Sequence, residues 1–311
     1  MIIFWSIILI AFLMLLGLSY YFSTLVVYPK TITRQKSYLY ELEKENFDEK
    51  WFNELDKEEV VVDSPYGYQL KGIFIKNHNS KKTVILCHGI TVTMFASIKY
   101  INIFFKSDYN VLIFDHRNHG NSGGKNTTFG YFEKYDLKIF TDWVFDRIGE
   151  DSMIGLHGES MGAAIALQNA GVDSRIGFVI ADCPFSNLNE LLKVRLKADY
   201  RLPAFPILNI ANSIIKLKNG FNPKDILPIK DVEKSDIPMF FIHGEKDDYI
   251  PSEMSIKMYN VKQGIKKSFF PENVEHARAY VKNKKVYEVL VRNFIEEIES
   301  ITIYKSKNKD S

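Results

Sequence analysis

Cysteine is scarce in this sequence, which contains only Cys87 and Cys183. Each of them lies in an apolar run that is typical of a buried strand, where a free cysteine behaves as a small apolar side chain. Two such residues do not form the disulfide framework of a small secreted domain, so the 311-residue chain must be stabilised by an apolar core.

An excess of charge of either sign is also missing. The sequence has 40 Lys and Arg against 38 Asp and Glu, a net charge of +2. This balance provides no general attraction to phosphates, so a nucleic-acid partner is not expected. Charged residues still make up 25% of the chain, which excludes a protein that is embedded in the membrane throughout.

Residues 1–29 contain no charged side chain. The segment from Ile2 to Val27 is predominantly apolar and exceeds the roughly 20 residues that a helix needs to cross a bilayer. Tyrosines at its C-terminal end suit a membrane–water interface. The alternatives are a buried core helix and a cleavable signal peptide, which would want a basic start and a small-residue cleavage site. The pattern favours an uncleaved, single-pass membrane anchor over residues 1–29.

The charges that flank this segment predict its orientation. Lys30, Arg34 and Lys36 follow it, whereas only the α-amino group precedes it. The positive-inside rule then places the rest of the chain in the cytoplasm, attached to the cell membrane. A large downstream domain can be translocated despite a few flanking charges, so the opposite orientation stays open.

After a polar connector with helical character (residues 30–57), short apolar runs alternate with helical patterns. The predicted strands include an opening hairpin and then runs that suit a parallel sheet covered on both faces: Val60–Asp63, Gln69–Lys76, Thr83–Cys87, Val111–Asp115, Met153–Leu156, Phe178–Ala181, Met239–Ile242 and Lys267–Phe270. The predicted helices are Ala96–Lys106, Tyr131–Arg147, Met161–Asn169, Glu253–Tyr259 and Val286–Ile298. The alternation predicts a doubly wound, mostly parallel α/β sheet over residues 58–300.

One interval, residues 187–236, has no strand pattern. Two helical stretches, Leu188–Asp199 and Ile207–Lys218, are separated by proline-spaced loops, and apolar residues persist throughout. The pattern predicts a short helical lid inserted over the sheet rather than a linker. The last residues, 301–311, are predicted to form a polar tail.

Residues 158–162 read GESMG and match the G-x-S-x-G pattern, directly between a predicted strand and a predicted helix. In this setting the serine occupies a sharp, strained turn that only small neighbours tolerate, and Gly158 and Gly162 are such neighbours. The turn also places Ser160 at a helix N-terminus, where N–H groups favour developing negative charge. Ser160 is therefore the predicted nucleophile, and an ordinary tight turn is the alternative.

A serine nucleophile needs a base, and the base needs a carboxylate that orients it. With this motif the chain order is serine, acid, histidine. Only His243 and His276 follow Ser160. His243 ends a predicted strand, which it is expected to structure, whereas His276 lies in a loop after the last predicted strand. The order therefore selects His276 as the base and places the acid in the loop after His243.

Three further stretches resemble the α/β-hydrolase superfamily of serine hydrolases. Residues 243–251, HGEKDDYIP, are similar to the H-G-x-x-D-x-x-[VI]-P stretch of these enzymes. This resemblance implies that Asp247 is the triad acid; Asp248 is the alternative, and otherwise caps the helix that follows. Residues 88–91, HGIT, resemble the H-G-x segment, and residues 115–124, DHRNHGNSGG, resemble the D-x-R-G-x-G-x-S loop.

The resemblance covers roughly residues 60–300, with the motifs in the order of the family. Within the superfamily the chain looks like bacterial membrane-anchored hydrolases and the related lid-poor, depalmitoylase-like and peptidase S9-like branches. The resemblance implies an oxyanion hole made by the backbone N–H of Met161, the residue after the nucleophile, and by that of Ile90 in the H-G-x segment.

The loop at residues 115–124 is structural in the family, although Asn118 stands where glycine is usual. His116 and His119 in this loop, with an aspartate nearby, raise the alternative of a metal site. Zinc needs three or four ligands, so no metal is expected here. The glycine-rich end of the loop also lacks the spacings of phosphate-binding and dinucleotide-binding motifs.

Together these residues predict a serine hydrolase that forms an acyl-enzyme and needs no cofactor. The apolar lid and the membrane anchor favour a carboxylic ester or thioester, either of a small molecule or of a lipid-like acyl group. A serine peptidase acting on short peptides is the second interpretation. The third is a non-catalytic, membrane-tethered binding protein on the same fold. No obligate protein partner is evident.

Overall fold

The computed structural model describes residues 1–307, with side chains through residue 304. In this part of the chain the strands are β1 (Lys57–Asp63), β2 (Gln69–Ile75), β3 (Lys82–Cys87), β4 (Asn110–Phe114), β5 (Met153–Glu159), β6 (Ile176–Asp182), β7 (Met239–Ile242) and β8 (Lys266–Phe269). The helices are α1 (Ile2–Val27), α2 (Arg34–Glu43), α3 (Glu49–Glu54), α4 (Ile98–Phe105), α5 (Glu133–Ile148), α6 (Met161–Asn169), α7 (Leu188–Tyr200), α8 (Ile207–Asn219), α9 (Pro228–Lys234), α10 (Glu253–Val261), α11 (Ala279–Lys282) and α12 (Lys284–Lys307).

These strands form one sheet in the order β1-β2-β4-β3-β5-β6-β7-β8. β2 is antiparallel to both β1 and β4, and all other neighbours are parallel. The predicted doubly wound, mostly parallel sheet is therefore confirmed. β4 and β5 lie on opposite sides of β3, which makes the carboxyl end of β3 a topological switch point, where ligands bind in open α/β sheets.

Two apolar clusters cover the two faces of the sheet. Ile85 and Leu112 pack into one cluster with side chains of α5 and α6. Their neighbours Val84 and Val111 pack into the other with side chains of α4 and α12. Successive strand residues point to opposite faces, so burial of both faces explains the near-continuous apolar runs of the sequence.

α1 has two different surroundings along its length. It is long and apolar enough to cross a membrane, by length and composition, and residues 1–14 are exposed. Its buried residues lie near its C-terminal end: Ser19, Phe22, Ser23 and Val27. Phe22 packs in an apolar cluster with Leu196 of α7 and Ile207 of α8. Because most of α1 is exposed, the alternative of a buried core helix does not fit this structure.

The connector after α1 is docked on the sheet. Arg34 Nε donates a hydrogen bond of 2.6 Å to Oδ2 of the buried Asp115. The backbone N–H of Ile32 donates to the carbonyl oxygen of Thr91, at 2.8 Å. The chain therefore runs from α1 past the loop that follows β3. The orientation of α1 stays a prediction.

Residues 187–236 contain no strand and fold as α7, α8 and α9, here called the lid, with a short 3-10 turn at Pro223–Asp225. α8 is tied to the end of α1, because Lys218 Nζ donates to the hydroxyl of Tyr20 and Asn219 Nδ2 to that of Tyr28, both at 3.1 Å.

The predicted division of the chain into an anchor, a connector and a domain stays a prediction, and two of its boundaries fall inside elements of the structure. β1 begins at Lys57, within the predicted connector. α12 extends to Lys307, so the first part of the tail predicted at residues 301–311 is helical. The rest of that tail lies outside the described residues.

Candidate active site

The sharp turn between β5 and α6 carries Ser160. Its backbone has φ 57° and ψ −118°, which non-glycine residues rarely adopt. The glycines on either side permit close packing: a Cβ on Gly158 would lie 2.4 Å from the carbonyl group of Gly162, and a Cβ on Gly162 would lie 2.1 Å from the carbonyl oxygen of Cys87. The Ser160 N–H donates to the carbonyl of Asp182 at 2.8 Å, which holds the turn against β6.

Ser160 begins a chain of hydrogen bonds between side chains from three loops, after β5, β7 and β8. Its Oγ lies 3.0 Å from Nε2 of His276, and Nδ1 of that ring lies 2.7 Å from Oδ2 of Asp247. Asp247 only accepts, so Nδ1 of a neutral His276 carries the proton and Nε2 is free to accept from the serine hydroxyl. The structure thus brings together the three residues that the sequence selects.

Four hydrogen bonds hold the Asp247 carboxylate. Oδ1 accepts from the N–H groups of Tyr249 and Ile250, at 2.9 and 2.8 Å. Oδ2 accepts from His276 and also from Nε2 of His243, at 2.9 Å. Burial raises the pKa of Asp247, but hydrogen bonds and charge from His243 and His276 outweigh it and hold this pKa well below its ordinary value. The carboxylate is ionised at neutral pH, as an orienting acid must be.

Asp248 is exposed, whereas Asp247 is buried beside His276. The capping role considered for Asp248 is not found, because α10 begins without a side-chain cap. Its carbonyl oxygen instead accepts a hydrogen bond of 2.7 Å from Nη1 of Arg195, whose guanidinium also stacks on the Tyr249 ring at 4.4 Å. Arg195 therefore ties α7 of the lid to the loop that carries Asp247.

The loop after β3 lies against Ser160. β3 and β5 are neighbours in the sheet, and a Cβ placed on Gly89 would lie 3.6 Å from that of Ser160. Ile90 follows in this loop. On the other side of Ser160, Met161 is the first residue of α6, so its N–H has no partner one turn earlier in the helix. The roles of Ile90 and Met161 as oxyanion donors stay a prediction.

Two buried histidines hold the loop after β3. Nε2 of His88 accepts from the N–H of His116, at 3.0 Å, so its Nδ1 is the donor to the Gly89 carbonyl, at 2.7 Å. Nε2 of His119 accepts from the N–H of Thr91, at 3.2 Å, and its Nδ1 donates to a carbonyl of its own loop. Burial first, then neighbouring histidines, lowers the pKa of His88 well below its usual value. Burial also lowers the pKa of His119, so both rings are neutral and hold the loop through hydrogen bonds to the backbone.

The loop at residues 115–124 is organised by hydrogen bonds rather than by ligand geometry. Oδ1 of Asp115 accepts from the N–H of Met94, and its Oδ2 accepts from Arg34. Asn118 has φ 61°, a conformation that asparagine tolerates in place of the usual glycine. The metal interpretation of His116 and His119 gains no support, because both nitrogens of His119 are already engaged with the backbone.

Cys183 lies beside the triad, and its Sγ, a carboxylate oxygen of Asp247 and a ring nitrogen of His276 lie within 4.8 Å of one another. Burial, followed by the charges of nearby carboxyl groups, raises the pKa of the Cys183 thiol well above its usual value. Metals bind the thiolate, and the other two groups are already hydrogen-bonded to each other. This donor set therefore fits a hydrogen-bonded triad better than a metal site.

A buried group of charges next to Ser160 was not predicted from the sequence. Glu159, the second residue of the GESMG motif, lies 2.7 Å from Nζ of Lys99 and accepts from the hydroxyl of Tyr100, at 2.5 Å. Burial lowers the pKa of Lys99, but Glu159 and the buried Glu41 of α2 raise it by more. The one sequence feature that could have indicated this group is Glu159, which directly precedes Ser160. The group links the connector to the nucleophile turn.

The backbone carbonyl of Asp182 accepts from the Ser160 N–H. The side-chain carboxyl of the same residue is expected to make the stability of the protein depend on pH. Burial, then the charge of Glu159, raises the pKa of its carboxyl to about 8, against the opposing effect of Lys99. The folded protein therefore keeps a proton that the unfolded chain loses near pH 4, and stability falls as the pH rises from about 4 to 8. The expected loss is roughly 1.4 kcal/mol per pH unit, or a few degrees of melting temperature.

The variant Asp182→Asn cannot ionise, so we expect its apparent melting temperature to fall less than that of the wild type between pH 5 and pH 8. Thermal unfolding of both proteins in nanodiscs at several pH values measures this difference. Asp248→Asn, at an exposed carboxyl, is the control and should keep the wild-type slope. Equal slopes for Asp182→Asn and the wild type would show that Asp182 is ionised in the folded protein.

A cavity of about 170 Å³ lies beside this centre. It is lined mainly by apolar side chains, among them Leu191 and Leu192 of α7 and Leu208 of α8, and it reaches Ile90 and Tyr249. The ring of Tyr249 is 5.0 Å from that of His276, measured between ring centres, so the cavity ends one side chain away from the triad. Its lining suits an apolar group attached to a bond that lies at Ser160.

Comparison with known proteins gives a match to a family model and similarity to known proteins and solved structures. Residues 78–214 match the family model described as Hydrolase_4: Serine aminopeptidase, S33. A Bacillus subtilis (strain 168) protein, Uncharacterized protein YqkD, is 41% identical over 253 residues, which are 81% of this chain and 83% of that protein. The match therefore covers most of both chains.

Two further relatives have an activity in their names. Lysophosphatidylserine lipase ABHD12 of Xenopus tropicalis is 27% identical over 197 residues, which are 58% of this chain and 47% of that protein. The solved structure of the Pyrococcus furiosus esterase Pf2001 superposes with a TM-score of 0.66 and 27% identity, over 81% of this chain and 96% of that one.

Proposed function

Because this chain belongs to the α/β-hydrolase superfamily, we propose that it is a serine hydrolase that cleaves carboxylic ester or thioester bonds. The observation that carries the proposal is the hydrogen-bonded chain from Ser160 through His276 to Asp247. A nucleophile, a base within 3.0 Å of it and an ionised acid that orients the base are what acyl transfer requires.

In the proposed first step, Ser160 Oγ attacks the carbonyl carbon of the substrate while its proton moves to Nε2 of His276. Asp247 keeps the ring in the tautomer that can accept this proton and stabilises the imidazolium that forms. The negative oxygen of the tetrahedral intermediate lies between the N–H groups of Met161 and Ile90. When the carbon–oxygen or carbon–sulfur bond breaks, His276 gives the proton to the leaving group.

In the second step, water replaces the alcohol or thiol. His276 takes a proton from water, the resulting hydroxide attacks the acyl carbon, and the bond to Ser160 Oγ breaks as the proton returns to the serine. The products are the free carboxylic acid and the regenerated enzyme. Neither step involves a metal or an organic cofactor.

The proposed substrate is an ester or thioester with an apolar acyl group. The cavity beside the triad is lined by leucine and isoleucine side chains of the lid, which suit an acyl chain. The esterase and lipase names of two similar proteins support the same class. The apolar helix α1 supports a single-pass membrane anchor, which would hold the site next to lipid-like substrates.

A serine peptidase is the second candidate, because the matching family model is described as a serine aminopeptidase. An aminopeptidase needs an acidic group that binds the charged amino terminus of its substrate. Asp199 lines the cavity, but Arg195 already pairs with it. Cleavage of an aminoacyl p-nitroanilide faster than of any p-nitrophenyl ester would favour the peptidase.

Labelling with a fluorophosphonate probe tests the proposed function. We expect the full-length wild type in detergent or nanodiscs to be labelled at Ser160, and Ser160→Ala to be unlabelled at the same melting temperature. p-Nitrophenyl esters of graded chain length then measure the acyl preference. A folded wild type that is neither labelled nor able to cleave any of these esters would falsify the proposal and favour the non-catalytic binding protein.

A further inference from the structure

The cavity beside the candidate triad is walled in part by the N-terminal helix. Phe22, Leu25 and Val26 of α1 line it, together with side chains of α7 and α8. Phe22 is almost fully buried there, with its ring 4.7 Å from that of Tyr200 at the end of α7. The last turns of α1 are therefore part of the site and not only a tether.

The position of these residues in α1 puts the cavity at the level of a membrane interface. A bilayer core takes up roughly 20 residues of a helix, which from Ile2 onward reaches to about residue 21. Tyr20, Tyr21 and Tyr28 lie at this level, and tyrosine prefers the boundary between acyl chains and headgroups. Residues 22–26 therefore lie where a membrane lipid carries its ester bonds.

The size of the cavity limits what it can hold. Its volume of about 170 Å³ is close to that of an engineered apolar cavity, about 150 Å³, that binds one benzene molecule. There is room for a segment of one acyl chain, but not for two chains side by side. The rest of a long chain has to leave the cavity, and on the α1 side it leaves into the bilayer.

The lid also has exposed apolar side chains in the segment that packs along α1 and just before it. After α1 in the chain, the two most exposed large apolar side chains among those described are Leu217 and Phe205, at 86% and 76%. Leu217 lies in α8, the helix that packs along α1, and Phe205 lies two residues before α8 begins. Apolar side chains in such a position favour contact with lipid rather than with water.

We propose that the C-terminal turns of α1 form one wall of the acyl-binding pocket, and that the substrate is an ester or thioester with a single acyl chain that enters from the bilayer along α1. The acyl chain of the substrate lies between α1 and α7, and its ester or thioester carbonyl lies at Ile90 and Ser160. This inference rests on the proposed hydrolase function. It adds that α1 helps to determine which acyl chains the enzyme accepts.

Filling the cavity from the α1 side tests this pocket. Val26→Trp is expected to lower kcat/KM for p-nitrophenyl palmitate, relative to that for p-nitrophenyl butyrate, by at least tenfold, because only the long chain needs the space at α1. Both esters are measured with the full-length protein in nanodiscs. The control is Leu13→Trp, at a residue of α1 that is 56% exposed and far from the cavity, and its ratio should equal that of the wild type.

Different outcomes of this experiment would contradict the proposed pocket and the proposed hydrolase function. An unchanged palmitate-to-butyrate ratio in Val26→Trp, with normal labelling by a short fluorophosphonate, would overturn the pocket. A wild type that neither reacts with this probe nor cleaves either ester would overturn the hydrolase function itself.

If Val26→Trp does not fold, a photoreactive probe that bonds covalently to Ser160 can show where the acyl chain lies. A dodecyl fluorophosphonate with a terminal diazirine reacts with the wild type: Ser160 Oγ bonds to phosphorus, fluoride leaves and His276 takes the proton. Irradiation expels nitrogen, and the carbene inserts into the nearest side chain. Crosslinks to residues 22–26 of α1 are expected; crosslinks confined to the domain after residue 57 would contradict the proposal.

Discussion

Replacement of Ser160 by alanine is expected to lower kcat for p-nitrophenyl butyrate by about 10⁴- to 10⁶-fold. The hydroxyl is the only part of this side chain that can form the acyl-enzyme, and no second hydroxyl takes its place at His276 in the described residues. Alanine fits the strained turn as well as serine does, so the melting temperature should stay near that of the wild type. Steady-state kinetics together with thermal unfolding measure both quantities.

The same experiment with His276→Ala tests whether the residues act as a unit. A serine without its base is a weak nucleophile, so His276→Ala should lose about as much activity as Ser160→Ala. The double variant should be no less active than either single variant, because the two residues act together and the loss of one already removes their joint contribution.

Matched controls for these variants are Ser300→Ala on α12 and His78→Ala in an exposed loop, both with expected kcat values near that of the wild type. If Ser160→Ala retained more than 1% of the wild-type kcat while Ser300→Ala did not differ from it, another nucleophile would have to be sought.

The sequence was most informative where the relevant structure is local. The nucleophile turn involves five consecutive residues between a strand and a helix, and its strained serine conformation follows from that local pattern. The order of residues along the chain selected His276 and the loop that carries the acid, because each of these segments follows a strand whose end lies at the same edge of a parallel sheet. Within that loop, the resemblance of residues 243–251 to the family motif selected Asp247. This is why Ser160, His276 and Asp247 could be named before their distances were known.

Contacts between distant segments could not be predicted in the same way. α1 is apolar on all sides, so no polar face of the helix marks which of its turns pack on the lid. The charge interaction between the buried Glu41 and Lys99 joins segments that are far apart in the sequence. β1 begins three residues earlier than its apolar pattern suggests, because an edge strand with one exposed face carries polar residues there.

His243 is the instructive intermediate case. Its position at the end of a strand predicted a structural role, and the structure adds that it donates to the same carboxylate oxygen as His276. Its Nδ1 lies 2.6 Å from the hydroxyl of Ser255, which fixes the ring from the other side. The Asp247 carboxylate is thus held by two histidines, of which only His276 reaches Ser160.

Because His243 and His276 share the carboxylate of Asp247, we expect Asp247→Asn to lower the activity by about 10⁴-fold. Oδ1 must remain an oxygen, because two backbone N–H groups donate to it. The amide NH₂ then takes the place of Oδ2 and becomes a donor toward Nδ1 of His276. The ring responds by carrying its proton on Nε2, where it points at Ser160 and can no longer accept the serine proton.

Asp248→Asn provides the matched control, because the neighbouring carboxyl is exposed and only its backbone carbonyl contacts Arg195. We expect kcat for p-nitrophenyl butyrate to stay within twofold of the wild type in Asp248→Asn and to fall by about four orders of magnitude in Asp247→Asn. Asp247→Asn should nevertheless stay folded by circular dichroism, since only one of the four hydrogen bonds at this carboxylate, that to His243, is opposed by the amide. The reverse result, an active Asp247→Asn and an inactive Asp248→Asn, would move the role of the acid to Asp248, which the buried position of Asp247 between two histidines argues against.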